Sequence, residues 1–418
     1  MKQSYKIIRD SIHGDIKVEG LFLDLLNTPE LQRLYNIKQL GLAHLVFPGA
    51  HHTRLEHSLG SYHISRRVAE ILSLDEEEKK ILTSAAFLHD IGHGPFSHTL
   101  EALVKESLNV DHVDLTEKLI FGEYEIFDEN EKEFISSECV HSVLEKYGID
   151  KSQIVNVIRG NRADKAYLSQ ALDSTVDVDQ LDYLVRDAYY TGVAYGVIDF
   201  ERFLQTLTIF DGEIVIKRKG VSVVENILMA RALMYSSIYF HKTVRIAELM
   251  LSKAIELFPE ENAYNFYKMT DAELINLLKN RGSYFQKKIA TCIKYRKLFK
   301  QAYMKSPSNL TKNQIEVVKK LDDPILRRKK EAEFEEKLGI PSGHIIIDVP
   351  YTELHQSEPR IDQTDIKVLE KGELKTLDDY TPTAKAIRDR AIPDWMIMII
   401  TDEKHRELVE KKAEKILF

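Results

Sequence analysis

Cysteine is scarce in this chain, and its scarcity excludes two kinds of structure. Only two cysteines occur among 418 residues, Cys139 and Cys292, and they form no CxxC pair. They are too few and too far apart for a disulfide-stapled scaffold or a thiolate metal site. They fit a protein of the reducing cytoplasm.

The sequence also lacks a membrane-directing segment and a basic charge. The run from Met1 to Tyr5 contains no apolar stretch of the signal-peptide kind. The longest apolar runs, such as 395–400, are far shorter than the roughly 20 residues that a spanning helix needs. The net charge is −8, so no global field attracts nucleic acid, and only local cations could bind a polyanion. We therefore expect a cytoplasmic protein without membrane association.

The chain has the composition of an ordinary globular protein, with 44% apolar and 30% charged residues. Its length is sufficient for two or three domains, or for one large helical domain with an appendage. Residues 5–18 predict a β-hairpin around Gly14. Helical periodicity then dominates. It predicts one helix that starts at Thr28-Pro29 and further helices over 56–72, 75–91, 177–187, 221–258 and 270–278.

The pattern changes beyond about residue 300. Two strand-like runs, 345–349 and 396–400, flank a turn-rich stretch, and a charged helix over 403–417 ends the chain. The predicted fold class is therefore mostly α, with a helical core, a small N-terminal β-hairpin and a smaller C-terminal α+β appendage. The predicted domains are 1–300, the core, and 301–418, the appendage.

Histidines are concentrated near the N-terminus: ten of the fifteen lie in the first 112 residues. Imidazole is costly to bury unpaired, so packing explains this density poorly. A site that needs neutral nitrogen ligands and a proton carrier explains it well. Three blocks carry most of them: VFPGAHHTRLEHSLG over 46–60, FLHDIGHGPFSH over 87–98, and the pair Asp111-His112.

His57, His89, Asp90 and one later aspartate form a set suited to a divalent metal ion. Mixed imidazole and carboxylate ligands favour Mn²⁺, Fe²⁺, Co²⁺, Ni²⁺ or Zn²⁺ over Ca²⁺. An HD dipeptide alone is a weak signal, but HDxGHGPFSH at the end of a predicted helix is a specific one. For the fourth ligand, spacing alone leaves Asp177, Asp179 and Asp182 as alternatives.

With these motifs the chain resembles the HD-domain deoxynucleoside triphosphate (dNTP) triphosphohydrolases, in particular the branch of the vertebrate sterile-alpha-motif/HD enzyme and its bacterial relatives. We expect no sterile-alpha-motif domain here. The resemblance covers nearly the whole chain and implies an HD-domain core whose motif region spans 45–190. Outside the three blocks it rests on these stretches: DSIHG at 10–14, LQRL at 31–34, IKQLG at 37–41, 177–187 and 239–242.

The resemblance implies the metal ligands His57, His89, Asp90 and Asp179, so it selects Asp179 among the aspartates. It also adds Mg²⁺ as a possible ion, at this site or with the substrate triphosphate. The implied reaction is attack of water on the α-phosphorus of a dNTP, which releases deoxynucleoside and tripolyphosphate. His112 is the expected proton donor to the leaving 5′ oxygen, with Glu101 orienting its ring.

The other implied site residues contact the substrate. The triphosphate would meet Arg54, His93, His98, Arg231 and Lys242, and we count His93 among the catalytic residues as well. The sugar would meet Gln39, Leu40, Asp187, Tyr183, Tyr235 and Tyr239. The last two tyrosines, at i, i+4 spacing, fit helix packing equally well. We assign structural or surface roles to the remaining early histidines: His13, His44, His51, His52 and His63.

Regulated members of this family form homo-oligomers with nucleotides at subunit contacts, so we expect a dimer or tetramer with a possible effector site. Those members read guanine with an Asp and an Arg, whereas Asn27 and Tyr35 occupy the matching positions here. This departure puts nucleotide activation in doubt. The basic residues within 287–300 could bind an effector phosphate or a nucleic acid, but a solvated helix face explains them too.

Two other functions are consistent with the same metal set. One is an HD phosphodiesterase or nuclease acting on cyclic nucleotides or single-stranded nucleic acid. In that case Gln39, Tyr183 and Asp187 would have no evident role. The other is a nucleotide-sensing protein with little turnover.

Overall fold

The computed structural model describes residues 5–97, 109–127, 129–162, 165–258, 263–350, 366–388 and 396–418. They form two compact units that interleave along the chain. The first comprises Met1–Met234, Asn262–Ala272 and Arg360–Asp389, and the second comprises Tyr235–Glu261, Glu273–Pro359 and Arg390–Phe418. Both units draw on residues before and after 300, whereas the predicted domains are continuous. The functional roles assigned to those domains stay predictions.

The N-terminal β-hairpin is confirmed. Strands β1 (Tyr5–Asp10) and β2 (Gly14–Glu19) pair antiparallel, with Ile8 opposite Ile16. Gly14 closes the turn at φ 74°, a left-handed conformation that glycine adopts without a steric penalty.

The rest of the chain is dominated by helices, which confirms the predicted mostly-α class. The helices up to residue 234 are α1 (Leu21–Leu26), α2 (Pro29–Arg33), α3 (Arg54–Ile71), α4 (Glu76–Leu88), α5 (His112–Phe121), α6 (Glu129–Lys132), α7 (Val140–Lys146), α8 (Lys151–Ile158), α9 (Ala166–Leu172), α10 (Val178–Thr191), α11 (Phe200–Leu204) and α12 (Val221–Met234). The later helices are α13 (Lys242–Glu256), α14 (Ala263–Lys268), α15 (Asp271–Asn280), α16 (Tyr284–Lys294), α17 (Lys312–Lys320), α18 (Pro324–Leu338), α19 (Thr383–Arg388) and α20 (Arg406–Leu417).

The prediction of one helix over 221–258 is wrong. Helix α12 ends at Met234, a π-helical turn follows over Tyr235–Tyr239, and α13 starts only at Lys242. His241 caps α13 in an extended conformation, and its ring accepts a hydrogen bond from the Thr243 amide. The apolar pattern continues across the break, and neither Pro nor Gly marks it in the sequence. Three further short helices, α6 to α8, lie between α5 and α9, where the sequence pattern predicts no helix.

Among the residues that the structure describes, seven further strands form two small sheets. They are β3 (Leu207–Phe210), β4 (Glu213–Lys217), β5 (Lys300–Lys305), β6 (Ile345–Asp348), β7 (Lys367–Glu370), β8 (Glu373–Thr376) and β9 (Ile397–Thr401). In the first unit the order is β3-β4-β7-β8, with β4 and β7 parallel and the outer pairs antiparallel.

The second unit contains the antiparallel sheet β5-β9-β6, so both predicted strands of the C-terminal region are confirmed as β6 and β9. Alternate residues of β6 and β9, such as Ile345 and Ile397, join one apolar core with Phe334 of α18 and Val409 of α20. Within the described part of the chain, no helix has both the length and the apolar character that crossing a membrane requires.

Candidate metal centre

Helix α3 places the first imidazole of the predicted site. It starts with a capping box, in which Thr53 accepts a hydrogen bond from the Glu56 amide and Glu56 accepts one from the Thr53 amide. His57 follows in the first turn and is 1% exposed. Its Nδ1 lies 2.8 Å from Oδ2 of Asp182, on α10.

The second imidazole lies in the turn that follows α4. His89 Nδ1 is 2.8 Å from the carbonyl oxygen of Ala86, and His89 Nε2 is 3.2 Å from His57 Nε2. A carboxylate and a carbonyl only accept hydrogen bonds, so in both rings the Nδ1 atom carries the proton. In the neutral rings the two Nε2 lone pairs therefore face each other, and a cation between them would relieve their repulsion.

Two carboxylates face the same nitrogens. Oδ1 of Asp179 lies 3.0 Å from His57 Nε2 and 3.6 Å from His89 Nε2. Oδ1 of Asp90 lies 3.3 Å from His89 Nε2, and its Oδ2 lies 3.9 Å from His57 Nε2. The ligand atoms of His57, His89 and Asp90 all lie within 4.8 Å of one another. Two imidazole nitrogens and two carboxylates suit a divalent ion, so the residues present fit a metal.

The electrostatics of the cluster favour a cation. Burial lowers the pKa of His57, but the hydrogen bonds that its ring donates to Asp179 and Asp182, with the charges of these carboxylates, outweigh burial and raise that pKa to about 10. Burial raises the pKa of Asp90, yet His89, Arg54 and His93 hold it well below its ordinary value. The carboxylates are therefore ionised at neutral pH, and a proton or a metal ion is drawn to the ring nitrogens.

Arg54, predicted to contact the triphosphate, is tied to the same cluster. It is 2% exposed, its Nη1 donates to Oδ2 of Asp90 at 2.6 Å, and its Nε donates to Oγ of Ser97 at 2.9 Å. Its Nη2 is buried and has no hydrogen-bond acceptor among the described residues. Nη1 of this guanidinium thus holds a predicted metal ligand, and Nη2 remains available to a further hydrogen-bond acceptor.

The structure brings His93 and His112 together. Their rings stack with centroids 4.0 Å apart and an angle of 12° between planes, and His93 Nε2 lies 3.3 Å from Oδ1 of Asp90. Burial, with Arg54 and His112 adding to it, lowers the pKa of His93 well below its ordinary value. Gly92 permits this approach, because a Cβ there would lie 2.2 Å from the His112 carbonyl oxygen.

A short β-bridge assembles the part of the site that was predicted to bind the sugar. Lys38 pairs with Thr53, and the Gln39 amide donates to the His52 carbonyl at 3.0 Å. Gln39 is 9% exposed, and its Oε1 is buried without a hydrogen-bond donor in the described part of the chain. The bridge thus sets Gln39 beside His52, two residues before Arg54.

His52, for which the sequence predicts a structural or surface role, is buried against Asp187, one of the predicted sugar-binding residues. Its Nε2 donates to Oδ1 of Asp187 at 2.7 Å, its ring stacks on Tyr190 at 4.6 Å, and it is 2% exposed. Tyr183 lies one turn before Asp187 on α10 and is partly buried. The double histidine His51-His52 was the available signal, but nothing in the sequence told the buried member from the exposed one.

The remaining predicted residues are distributed over both units. Arg231 is buried in α12, with Nη1 3.5 Å from Oε1 of Gln180. Leu40 is partly buried beside Gln39. The predicted residues of the second unit are Tyr235, Tyr239 and Lys242. The two tyrosine rings pack against each other at 5.0 Å, and Lys242 donates to Gln301 at 3.0 Å. His98 and Glu101 lie outside the described residues.

The second unit contains another cluster of possible metal ligands: His344, Asp402 and His405. Nδ1 of His344 and Nδ1 of His405 lie 3.1 Å and 2.7 Å from the Asp402 carboxylate. Lys288 Nζ lies 3.3 Å from both His344 Nε2 and Asp402 Oδ2. Burial lowers the pKa of His344, and Lys288 lowers it further. The lysine already supplies the positive charge, so we interpret the cluster as an ion-pair network.

The chain is similar to known proteins over nearly its whole length. Residues 54–187 match the HD domain, and residues 198–418 match the HD associated region. The chain is 33% identical to an uncharacterised protein, MJ1154, of Methanocaldococcus jannaschii, over 98% of this chain and 82% of that protein. It is 26% identical to the human deoxynucleoside triphosphate triphosphohydrolase SAMHD1, over 99% of this chain and 70% of that enzyme. A crystal structure of a hypothetical protein from Aquifex aeolicus has a TM-score of 0.71 at 30% identity and covers 98% of this chain and 100% of that one.

Proposed function

Since the chain belongs to the family of HD-domain proteins that carry an HD associated region, we propose that it is a metal-dependent phosphohydrolase whose substrates are dNTPs. The metal dependence rests on family membership and on the ligand set of His57, His89, Asp90 and Asp179. The choice of dNTPs rests on the polar atoms beside that set and on the similarity to a named dNTP triphosphohydrolase.

The observation that carries the proposal is the pair of facing Nε2 atoms, 3.2 Å apart, between two carboxylates. His57, His89, Asp90 and Asp179 would hold a divalent ion there, and it would supply polarisation of a phosphate oxygen and a lowered pKa of water. We assign the ion to the class Mn²⁺, Fe²⁺, Co²⁺, Ni²⁺, Zn²⁺ or Mg²⁺. His57 and His89 contribute neutral Nε2 ligands because Asp182 and the Ala86 carbonyl fix their tautomers.

The chain's own groups handle the triphosphate and the leaving group. Arg54 directs Nη2 to a phosphate oxygen while its other N–H groups hold Asp90 and Ser97. His112 donates a proton to the departing 5′ oxygen. The stacked His93 stays neutral because its pKa is depressed, so it does not repel a protonated His112.

Three groups recognise the deoxyribose. Asp187 accepts the hydrogen bond that the 3′-hydroxyl of the sugar donates, and His52 holds its carboxylate in place. The side-chain amide of Gln39, whose oxygen is buried without a described donor, donates a hydrogen bond to the oxygen of the same hydroxyl. Tyr183 packs against the sugar face, where a 2′-hydroxyl would be crowded.

Assembly into a homo-oligomer and binding of a nucleotide effector remain part of the proposal. Asn27 donates to the Leu23 carbonyl at 2.7 Å and accepts from Lys6 Nζ at 3.1 Å, so its amide already has partners. Tyr35 is 48% exposed. These contacts support weak recognition of an effector base at this position. We therefore propose that turnover needs no added nucleotide.

The test is a panel of all eight nucleoside and deoxynucleoside triphosphates, with one cyclic nucleotide and one single-stranded oligonucleotide, in the presence of Mn²⁺. Products are resolved by anion-exchange chromatography. The proposal expects tripolyphosphate from the dNTPs alone, and H₂¹⁸O should place the label in tripolyphosphate. Mononucleotides from the cyclic or polymeric substrate would instead support a phosphodiesterase or nuclease. Binding without turnover would support a sensor.

A further inference from the structure

Asp182 is not among the four proposed metal ligands, yet its carboxylate accepts four hydrogen bonds. It is 0% exposed. Its Oδ2 accepts hydrogen bonds from His57 Nδ1 and Arg186 Nε, both at 2.8 Å. Its Oδ1 accepts from His13 Nε2 at 2.7 Å and from Arg186 Nη2 at 3.0 Å. Each oxygen therefore has two donors, and the carboxylate cannot rotate without losing at least one.

The other end of this network is the turn of the N-terminal β-hairpin. Oδ1 of Asp10 accepts hydrogen bonds from the amides of Ile12 and His13, at 2.9 and 2.8 Å. Oδ2 of Asp10 accepts from Arg186 Nη1 at 2.8 Å. Asp10, Arg186, Asp182 and His13 thus form a closed ring that fixes both the backbone and the side chain of His13.

Helix α3 leaves room for this network of four side chains at Gly60. Gly60 lies less than one turn after His57, and a Cβ on it would be 1.8 Å from Oδ1 of Asp182 and 2.6 Å from Nη2 of Arg186. Any larger residue at position 60 would displace the carboxylate that accepts the hydrogen bond from His57 Nδ1. The close approach of α10 to α3 at this point therefore depends on glycine.

We propose that His13 is a positioning residue of the metal centre. Its ring holds Asp182, and Asp182 in turn fixes the orientation and the tautomer of His57. The inference depends on the proposed function only in treating His57 as a metal ligand, and it holds for any substrate. It also gives the β-hairpin turn a role in the site that the pattern of early histidines did not suggest.

The test measures metal affinity without nucleotide. The metal-free protein is titrated with Co²⁺, and the visible absorption of the bound ion reports both affinity and coordination geometry. Loss of an outer hydrogen bond typically weakens metal binding about 10–100-fold, and we expect His13→Ala to fall in that range. His13→Gln should recover most of the affinity, because its amide can donate at the position of Nε2, whereas the shorter His13→Asn should not.

The matched control is His63→Ala. His63 stacks on His13 with centroids 5.2 Å apart, so its removal takes away ring packing but leaves the hydrogen bond to Asp182. We expect Co²⁺ affinity within twofold of the unsubstituted protein, even if both alanine variants melt at a lower temperature. Equal losses of affinity in His13→Ala and His63→Ala would overturn the proposal, because packing alone would then explain them.

Other outcomes are also decisive. If His13→Ala is folded by circular dichroism and binds Co²⁺ with unchanged affinity and spectrum, the positioning role is wrong. If His13→Ala does not fold, the Co²⁺ affinities of His13→Gln and His13→Asn are compared instead. Equal affinities in these two variants would reject the proposal. If the unsubstituted protein hydrolyses no dNTP while His13→Ala still weakens Co²⁺ binding, the substrate proposal fails and the positioning role stands.

Discussion

Arg186 offers the sharpest test of the buried network, through the substitution Arg186→Met. Its side chain is fully buried between the carboxylates of Asp10 and Asp182. Burial disfavours the charged guanidinium, but the two carboxylates outweigh burial and raise the pKa of Arg186. Methionine would keep most of the volume and remove the charge, so two ionised carboxylates would face each other without a cation.

The expected cost follows from the geometry. Removing one partner of a buried ion pair typically costs about 3–5 kcal/mol, because the remaining charge is left without compensation. For a unit of this size 1 kcal/mol corresponds to about 2 °C in Tm, so we expect a decrease of about 6–10 °C. The double variant Arg186→Met with Asp10→Asn should recover part of that loss, since it removes one of the two facing charges.

The control is an exposed pair of the same kind. Arg67 binds Glu201 with two hydrogen bonds, at 2.5 and 2.6 Å, and these side chains are 32% and 63% exposed. Arg67→Met should cost about 1 kcal/mol or less. Both variants are compared by differential scanning fluorimetry and guanidinium unfolding in a metal-free buffer. Similar losses of unfolding free energy in the two variants would show that the buried ion pair stabilises the protein no more than the exposed one. A loss below about 1 kcal/mol in Arg186→Met would show the same.

Three further predictions concern the site and the second unit. Asp179→Asn should weaken Mn²⁺ binding by more than about tenfold, or 1.4 kcal/mol, and unchanged affinity by calorimetry would remove Asp179 from the ligand set. His112→Ala should lower kcat by about 10²–10⁴ with metal content unchanged by elemental analysis, and surviving activity would refute its role as the acid. Lys253→Met should cost about 3–5 kcal/mol at pH 7, because Lys253 Nζ donates to buried Glu331 at 2.7 Å. Burial already raises the pKa of Glu331, and losing Lys253 would raise it further. Protonation at pH 5 then removes the buried charge, so the cost should shrink there, and a larger cost at pH 5 in urea unfolding would contradict this.

Local signals in the sequence were sufficient for much of the fold. Thr53 and Asp75 cap α3 and α4 with capping boxes that are readable from three-residue spacings. The turn with His89 and Asp90 follows directly from the end of α4. These features depend on neighbours along the chain, and a single sequence contains that information.

Contacts between residues that lie far apart in the sequence could not be predicted from such local signals. Asp179 and Asp182 are three residues apart on one face of α10, so spacing made them equal candidates. In the structure they lie on opposite sides of the same ring: Asp179 faces Nε2 of His57, and Asp182 faces Nδ1. The partners of His13 and His52 are 169 and 135 residues away, which no local pattern encodes.

Anomalous diffraction at the manganese edge, from crystals grown with Mn²⁺, tests the proposed metal centre most directly. We predict one strong peak per chain, coordinated by Nε2 of His57, Nε2 of His89 and the carboxylates of Asp90 and Asp179. A fully occupied Mn²⁺ site elsewhere in the chain, or no peak between these two imidazoles at saturating Mn²⁺, would contradict this assignment.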